Sequence, residues 1–325
     1  MKTLTLWFYA LFLLPIGFCA KAQDSEPIKI GLIGLDTSHA TAFTKILNSG
    51  DVPGGKVVAG VPQSSPDIES SHTRIDNYVK ILTEEWGVKM YDTIEAMLPH
   101  VDVVMVESVD GRPHLEQARP VIEAGKMLYV DKPMSASLKD VITMFDLAKK
   151  HNVPMWSSSN LRFNSGVVKA ATADVGELTM AFSYGPASLE EHHLDLAWYG
   201  IHPVEALYTV MGIGCQSVQR THTEGTDVVT GLWEGDKIGI LQGIRKGKTM
   251  YGVKVFGTKG MVEEKAGGAY PEMMTEMIKF FKTGKPPVTP EETIEIFAFM
   301  KAADVSKENG GAPVKIADVI AAAKK

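Results

Sequence analysis

The sequence predicts a mixed fold: a Rossmann-like doubly wound parallel sheet (α/β), then an α+β domain with an open antiparallel sheet. Three observations predict it. From Ile28 to Trp156, short apolar strands alternate with segments of helical period, as in repeated βα units. From Glu177 onward, strands follow one another with only turns between them. The chain has 325 residues, 45% hydrophobic and 22% charged, the size and mix of an ordinary two-domain globular protein. The expected divisions are a signal peptide over 1–22, a doubly wound parallel-sheet domain over 23–155 and an α+β domain over 156–325.

The start of the chain reads as an export signal. Lys2 precedes an apolar run from Leu6 to Phe18, and Ala20-Lys21-Ala22 gives a small-x-small cleavage site. The run is too short for a good membrane span. Secretion, most simply to a periplasm, is the expectation. Cys19 raises lipidation, against which bulky Phe18 stands. The whole chain has a net charge of −6; without residues 1–22, which hold two lysines and no acid, it is −8. That balance disfavours nucleic acid and anionic membrane as partners. It leaves a soluble protein, with homo-oligomerisation open. Cys215 would be the single remaining cysteine and reads as a buried apolar residue.

Ile28 to Leu35 reads as the first strand, followed by a helix with Phe43, Ile46 and Leu47 on one face. The turn between them resembles a damaged Gly-x-Gly-x-x-Gly. Gly34 fits the first glycine, but Asp36 sits at the second and His39 at the third. The second glycine normally lets backbone approach a pyrophosphate, and an aspartate there would add bulk and negative charge. Ser38 could cap the helix, whose first amides could bind an anion. Lys56 to Val61 is the second strand. Where an acid for a ribose is expected stand Gln63, Ser64 and Ser65, which could hydrogen-bond a ribose or a 2′-phosphate. Helices are expected over 75–86 and 93–98, and a strand over 101–106. Another helix is opened by Gly111-Arg112-Pro113-His114 and closed by Gly125.

The strand Met127 to Val130 runs into Asp131-Lys132-Pro133. In an open parallel sheet, ligands sit beyond the carboxyl ends of the strands. A lysine there can hold a substrate oxygen and stabilise a developing alkoxide. The bland alternative is a surface ion pair. A helix with Leu138, Val141, Ile142, Phe145 and Ala148 on one face follows, then a strand from Val153. In the second half, strands are expected over 177–184, 217–222, 227–233, 237–244 and 250–256. Glu234-Gly235-Asp236 makes a hairpin turn, and Gly257 to Gly260 a further turn. Met273, Met277, Ile278 and Phe281 form a helix face stopped by Gly284, and Thr289-Pro290-Glu291-Glu292 starts the next helix.

The order of motifs resembles the Gfo/Idh/MocA family of oxidoreductases, which includes glucose–fructose oxidoreductase and inositol dehydrogenase. Pro113-His114, Ala124-Gly125-Lys126 and Asp131-Lys132-Pro133 resemble the family's Pro-x-x-His, Ala-Gly-Lys and Glu-Lys-Pro motifs. Asn160-Leu161-Arg162-Phe163 resembles its linker into the second domain. The family's Asp-x-Gly-x-His-x-x-Asp is matched by Gly200 and His202, with Glu205 for the second aspartate and Trp198 for the first.

The resemblance implies NAD or NADP; free cofactor is expected to be scarce outside the cytoplasm, and tight retention through a complete redox cycle is one way around that. The expected cofactor contacts are Gly34, Asp36, Thr37, Ser38, His39, Ser108, His114, Asp131 and Pro133. Lys132 and His202 are the expected catalytic pair, with His202 as general base. Arg162, His192, His193 and Glu205 are expected to bind a carbohydrate substrate. His192, His193, Asp195 and His202 could include metal ligands, but no ligand spacing supports this and no metal is expected. The leading expectation is oxidation or reduction of a secondary hydroxyl on a sugar, glycoside or polyol. The alternatives are a carbohydrate-binding protein on the same scaffold, or a lyase or hydrolase using bound NAD transiently.

Overall fold

A computed structural model describes residues 26–325; the expected signal peptide and Cys19 lie outside the described residues. The first sheet has six strands: β1 (Ile28–Ile33), β2 (Gly55–Val61), β3 (Lys89–Met90), β4 (Val103–Val106), β5 (Leu128–Val130) and β6 (Met155–Trp156). They lie in the order β3-β2-β1-β4-β5-β6, and every neighbouring pair is parallel. All of β4 and β5 is buried, as expected for strands covered on both faces by helices. The strand order reverses between β1 and β4. Loops leaving those two carboxyl ends run in opposite directions, and the gap between them is the natural ligand crevice of such a sheet.

The second sheet has seven strands: β7 (Leu178–Pro186), β8 (Cys215–His222), β9 (Thr226–Trp233), β10 (Lys237–Ile244), β11 (Tyr251–Gly257), β12 (Gly260–Ala266) and β13 (Val314–Lys315). Their order is β12-β11-β7-β10-β9-β8-β13. Neighbours are antiparallel except β7 and β10, which run parallel. The helix Ile201–Met211 crosses over after β7. The meander β8-β9-β10 then returns beside it, and its third strand arrives in the same direction as the first. The β9–β10 hairpin turns on Gly235 and Asp236, both at positive φ (73° and 59°), the conformation that a tight two-residue turn requires. Strand β12 had no signal in the sequence because neither of its faces is buried.

Trp233 anchors this half. Added Cβ atoms at Gly231 and Gly239 would lie 2.4 and 2.5 Å from its ring, so the two glycines form the slot that receives the indole. Its Nε1 donates to Gly212 O at 2.9 Å. The expected methionine-rich helix is Tyr270–Thr283, ended by Gly284 at φ 68°. Its Met273, Met277 and Ile278 pack with Ile30, Leu32 and Phe43, so a segment near the C-terminus completes the core of the first sheet. That return brings Tyr270 to the crevice. The last long helix, Pro290–Glu308, is capped as its sequence implies: Thr289 Oγ1 accepts from Glu292 N at 3.2 Å, with Pro290 in the first turn.

Candidate active site

The β1 turn is built around Gly34. Its φ is 76°, and an added Cβ would lie 2.5 Å from Ser108 N, so only glycine lets the turns after β1 and β4 touch. Asp36 does not face the groove with its charge. It is fully buried; Val109 N donates to Oδ1 at 3.0 Å and Ser71 Oγ to Oδ2 at 2.5 Å. Burial raises its pKa above the ordinary carboxylate value, with these hydrogen bonds opposing. The expected bulk and charge beside a phosphate are therefore turned inward, where they latch the turn. Asp36→Gly should cost about 1–3 kcal/mol, because it leaves the Val109 amide and the Ser71 hydroxyl unpaired. Denaturant unfolding measures this; undiminished stability would show that the latch is dispensable.

Thr37, not Ser38, caps the helix Ser38–Asn48: its Oγ1 accepts from His39 N at 3.4 Å. Ser38 is the first helical residue and is exposed. His39, in the position of the third glycine, stacks on Phe43 at 4.9 Å and meets Tyr270 edge-on at 5.2 Å. Its Nδ1 lies 2.5 Å from Asp131 Oδ2, and the Tyr129 hydroxyl donates to Asp131 Oδ1 at 2.9 Å. Burial pushes Asp131 up, but His39 and then Lys132 outweigh it and hold the carboxyl at about 2. Glu107, at the end of β4, is fully buried, and neither carboxylate oxygen has a hydrogen-bond partner. Burial, then the charge of Asp131, pushes it well above the usual range.

The structure brings Lys132 and His202 to one cavity of about 370 Å³. Thr37, Ser38, His39 and Val109 line it with Lys132; Asn160, Tyr199, Tyr251 and Tyr270 line it with His202. Lys132 Nζ sits 5.8 Å from the centre of the Tyr199 ring. His202 Nδ1 lies 2.6 Å from Ser159 Oγ. Burial, then the charges of Lys132 and His39, drives His202 well below the ordinary histidine value, so the ring is neutral near neutral pH. In the tautomer that gives Nδ1–H to Ser159 Oγ, Nε2 is free to accept a proton.

A second cavity, about 530 Å³, opens beyond β2 and is lined by Gln63, Ser64, Ser65, Ser108, Glu116 and Gln117 among others. The glycine cradle, the helix start at Ser38 and the two cavities at the carboxyl ends of parallel strands fit a dinucleotide.

Other expected site residues lie behind these walls. His114 is fully buried, its nitrogens 3.2 and 3.0 Å from Met134 O and Ser108 O, where it staples two loops. Pro133 is also buried and lines neither cavity. Glu205 receives Ser159 N and Arg162 Nε at 3.2 and 2.9 Å. Arg162 Nη2 also lies 2.7 Å from Glu292 Oε1, as an ion pair without hydrogen-bonding alignment. His193 accepts from Gly111 N at 3.0 Å and pairs with Glu190, while His192 pairs with the same glutamate. Asp195 is engaged by Arg220 and Lys307. Arg162, Glu205, His192 and His193 thus do not line the cavity, and the histidine cluster does not converge on a metal position.

Arg74, Asn160 and the tyrosines 199, 251 and 270 line the cavity without having been expected. Long-range folding places Arg74, Tyr251 and Tyr270 there with no local motif to mark them; Asn160 opens the linker motif and Tyr199 lies within the motif around Gly200, but neither motif assigns them a contact.

The likeness to known proteins fits this geometry. A probable dehydrogenase from Thermotoga maritima superposes with a TM-score of 0.76 at 22% identity, over 90% of this chain and 100% of that one. A scyllo-inositol dehydrogenase from Lactobacillus casei, with bound NAD(H) and scyllo-inositol, gives 0.75 at 16% identity, over 90% and 100%. A myo-inositol 2-dehydrogenase from Lactobacillus plantarum gives 0.73 at 17%, over 89% and 99%. No curated protein matches in sequence. Residues 28–159 match the oxidoreductase family with an NAD-binding Rossmann fold. Residues 28–159 thus match the NAD-binding Rossmann domain of the Gfo/Idh/MocA oxidoreductase family, and the described chain as a whole shares the fold of these solved dehydrogenases.

Proposed function

We propose that this protein is an exported NAD-dependent dehydrogenase acting on a secondary hydroxyl of a sugar, glycoside or polyol. The observation that carries the reading is the convergence of Lys132 and His202, from two different sheets' surroundings, on one cavity beside the β1 turn. NAD, when bound, supplies the hydride acceptor. Lys132 holds the reacting oxygen and stabilises negative charge developing on it. His202 Nε2 takes the hydroxyl proton, and Ser159 holds the ring through Nδ1. Asp131, kept ionised, fixes the lysine's surroundings. The solved relatives that act on inositols favour a polyhydroxylated ring as substrate. Tyr199, Tyr251 and Tyr270 give the cavity flat apolar faces and hydroxyls suited to such a ring.

The second cavity favours NAD over NADP. Its lining contains Glu116, which Arg119 meets at 3.4 Å, and no lysine or arginine of its own, so a 2′-phosphate there would lack a direct cationic partner. Arg112, close by in sequence, is held by Asp67 and Asp110. Titration should show NAD binding tighter by about tenfold or more, the scale of one missing charge contact. Equal affinities would place the 2′ position elsewhere.

The deciding experiment is the nucleotide content of gently purified, full-length protein, with sequencing of the mature N-terminus. Bound or titratable NAD with turnover on a polyol panel supports the dehydrogenase. Sugar binding without any dinucleotide would replace it with a carbohydrate-binding role. A mature chain beginning at Met1 would remove export.

A further inference from the structure

The first turn of the helix after β1 and the ends of β4 and β5 meet beside Lys132. His39 follows β1, Glu107 follows β4 and Asp131 follows β5. One potential ligand atom from each lies within 4.8 Å of the other two, and all three residues are buried. Asp131 and His39 are partnered, with each other and with Tyr129. Glu107 is not: both of its carboxylate oxygens are buried without a hydrogen-bond partner. A bare carboxylate held against a second carboxylate, away from water, is among the costliest arrangements in a protein interior.

Two species can relieve it, a proton or a cation. A proton would neutralise Glu107 alone and make it a donor toward the neighbouring Asp131 carboxylate, whereas a cation would draw on all three groups at once. A cation needs only converging lone pairs. We propose that His39, Glu107 and Asp131 form a binding site for one divalent transition-metal ion, such as Zn²⁺ or Mn²⁺.

The donor set supports that class. One imidazole nitrogen with two carboxylates suits a borderline ion, whereas Mg²⁺ and Ca²⁺ take oxygen ligands. The two carboxylates neutralise the charge. The pair His39 and Asp131, 2.5 Å apart, must open on binding, since ligand atoms about 2.0–2.2 Å from one ion lie roughly 3–3.5 Å from each other. The His39 ring can tilt to do this, because aromatic faces at Phe43 and Tyr270, and not polar partners, hold its sides. Tyr129 contacts the second oxygen of Asp131, the kind of outer hydrogen bond that orients a metal ligand. His39 also lines the cavity, which gives the ion a way in. Once bound, the ion would tie the start of the helix Ser38–Asn48 to the ends of β4 and β5, next to Lys132.

The site stands independently of the dehydrogenase reading, and the test separates the two. Full-length protein is stripped with a chelator, dialysed and titrated with Zn²⁺ and, separately, Mn²⁺ by calorimetry. Thermal unfolding is followed with and without each ion, and dinucleotide content is measured on the same samples. One ion per chain and a raised melting temperature are expected for at least one of the metals. Glu107→Gln and His39→Gln should each weaken binding by about 100-fold or more, since loss of an outer hydrogen bond alone costs 10–100-fold. No stoichiometric binding by the wild type overturns the proposal whether or not the variants fold. So does binding that survives unchanged in Glu107→Gln, which would place the ion on surface groups such as His192 and Glu190. Metal binding without any dinucleotide would keep this site and remove the redox reading.

Discussion

Lys132→Met is expected to lower turnover by about 10²–10³-fold while leaving the fold intact. Methionine keeps much of the stem's volume and removes the charge. Lys132 is only partly buried, and its ammonium faces the cavity beside the Tyr199 ring, so no buried partner is stranded. The whole loss should then come from the transition state. His202→Ala should cost roughly 10²–10⁴-fold through loss of general-base help. Both residues act on one proton and one oxygen, so the double variant should lose less than the product of the single losses. The pH profile gives a second reading. Because burial and the neighbouring charges of Lys132 and His39 depress His202, it is neutral and able to accept a proton well below pH 6.5. The acid limb of kcat/KM should therefore lie below the ordinary histidine value and vanish in His202→Ala. Two folded single variants that retain wild-type turnover on a polyol would remove the proposed chemistry.

The sequence made some of this legible for identifiable reasons. Strands such as Val103–Val106, buried on both faces, leave an unbroken apolar run that local pattern reading catches. The Asp131-Lys132-Pro133 segment stands out because charge follows such a run abruptly. The placement of His202 came from the motif around Gly200. What failed was the assignment of direction. Asp36, Arg162, Glu205 and His193 were expected to face ligand, yet each turns its polar group into the protein onto a partner supplied by a distant segment. Ser71 holds Asp36, Glu292 faces Arg162, and Gly111 holds His193. No spacing within either segment records those pairings. The tyrosine wall is similar: Tyr270 belongs to a helix whose apolar face was plain, but only the return of that helix to the first sheet puts its first residue over His39. The parallel pair β7–β10 follows from a crossover helix of which only the opening motif was expected.

Arg162→Met is expected to destabilise the protein by about 3–5 kcal/mol, more than any single change in the cavity wall. Arg162 lies in the linker between the two sheets, in the short helix Asn160–Phe163, and is buried. Its guanidinium serves two acids on different helices: Glu205 Oε2 at 2.9 Å, and Glu292 Oε1 at 2.7 Å. Burial pushes Glu205 up, and the attraction of Arg162 is the main force opposing it. Removing the arginine leaves one buried and one partly buried carboxylate facing each other, so Glu205 would be driven to take up a proton. Arg162→Lys should recover only part of the loss, because a single ammonium cannot reproduce the fork that spans both acids. Glu205 also accepts from Ser159 N and Ser158 Oγ, and Ser159 in turn holds His202. The linker pair therefore stands two hydrogen bonds behind the proposed base. Urea unfolding of Arg162→Met and Arg162→Lys, with KM and kcat measured on the folded fraction, distinguishes bracing from ligand contact. A loss below about 1 kcal/mol, the scale of an exposed pair, together with a large rise in KM would return Arg162 to the substrate-binding role that its sequence position first implied.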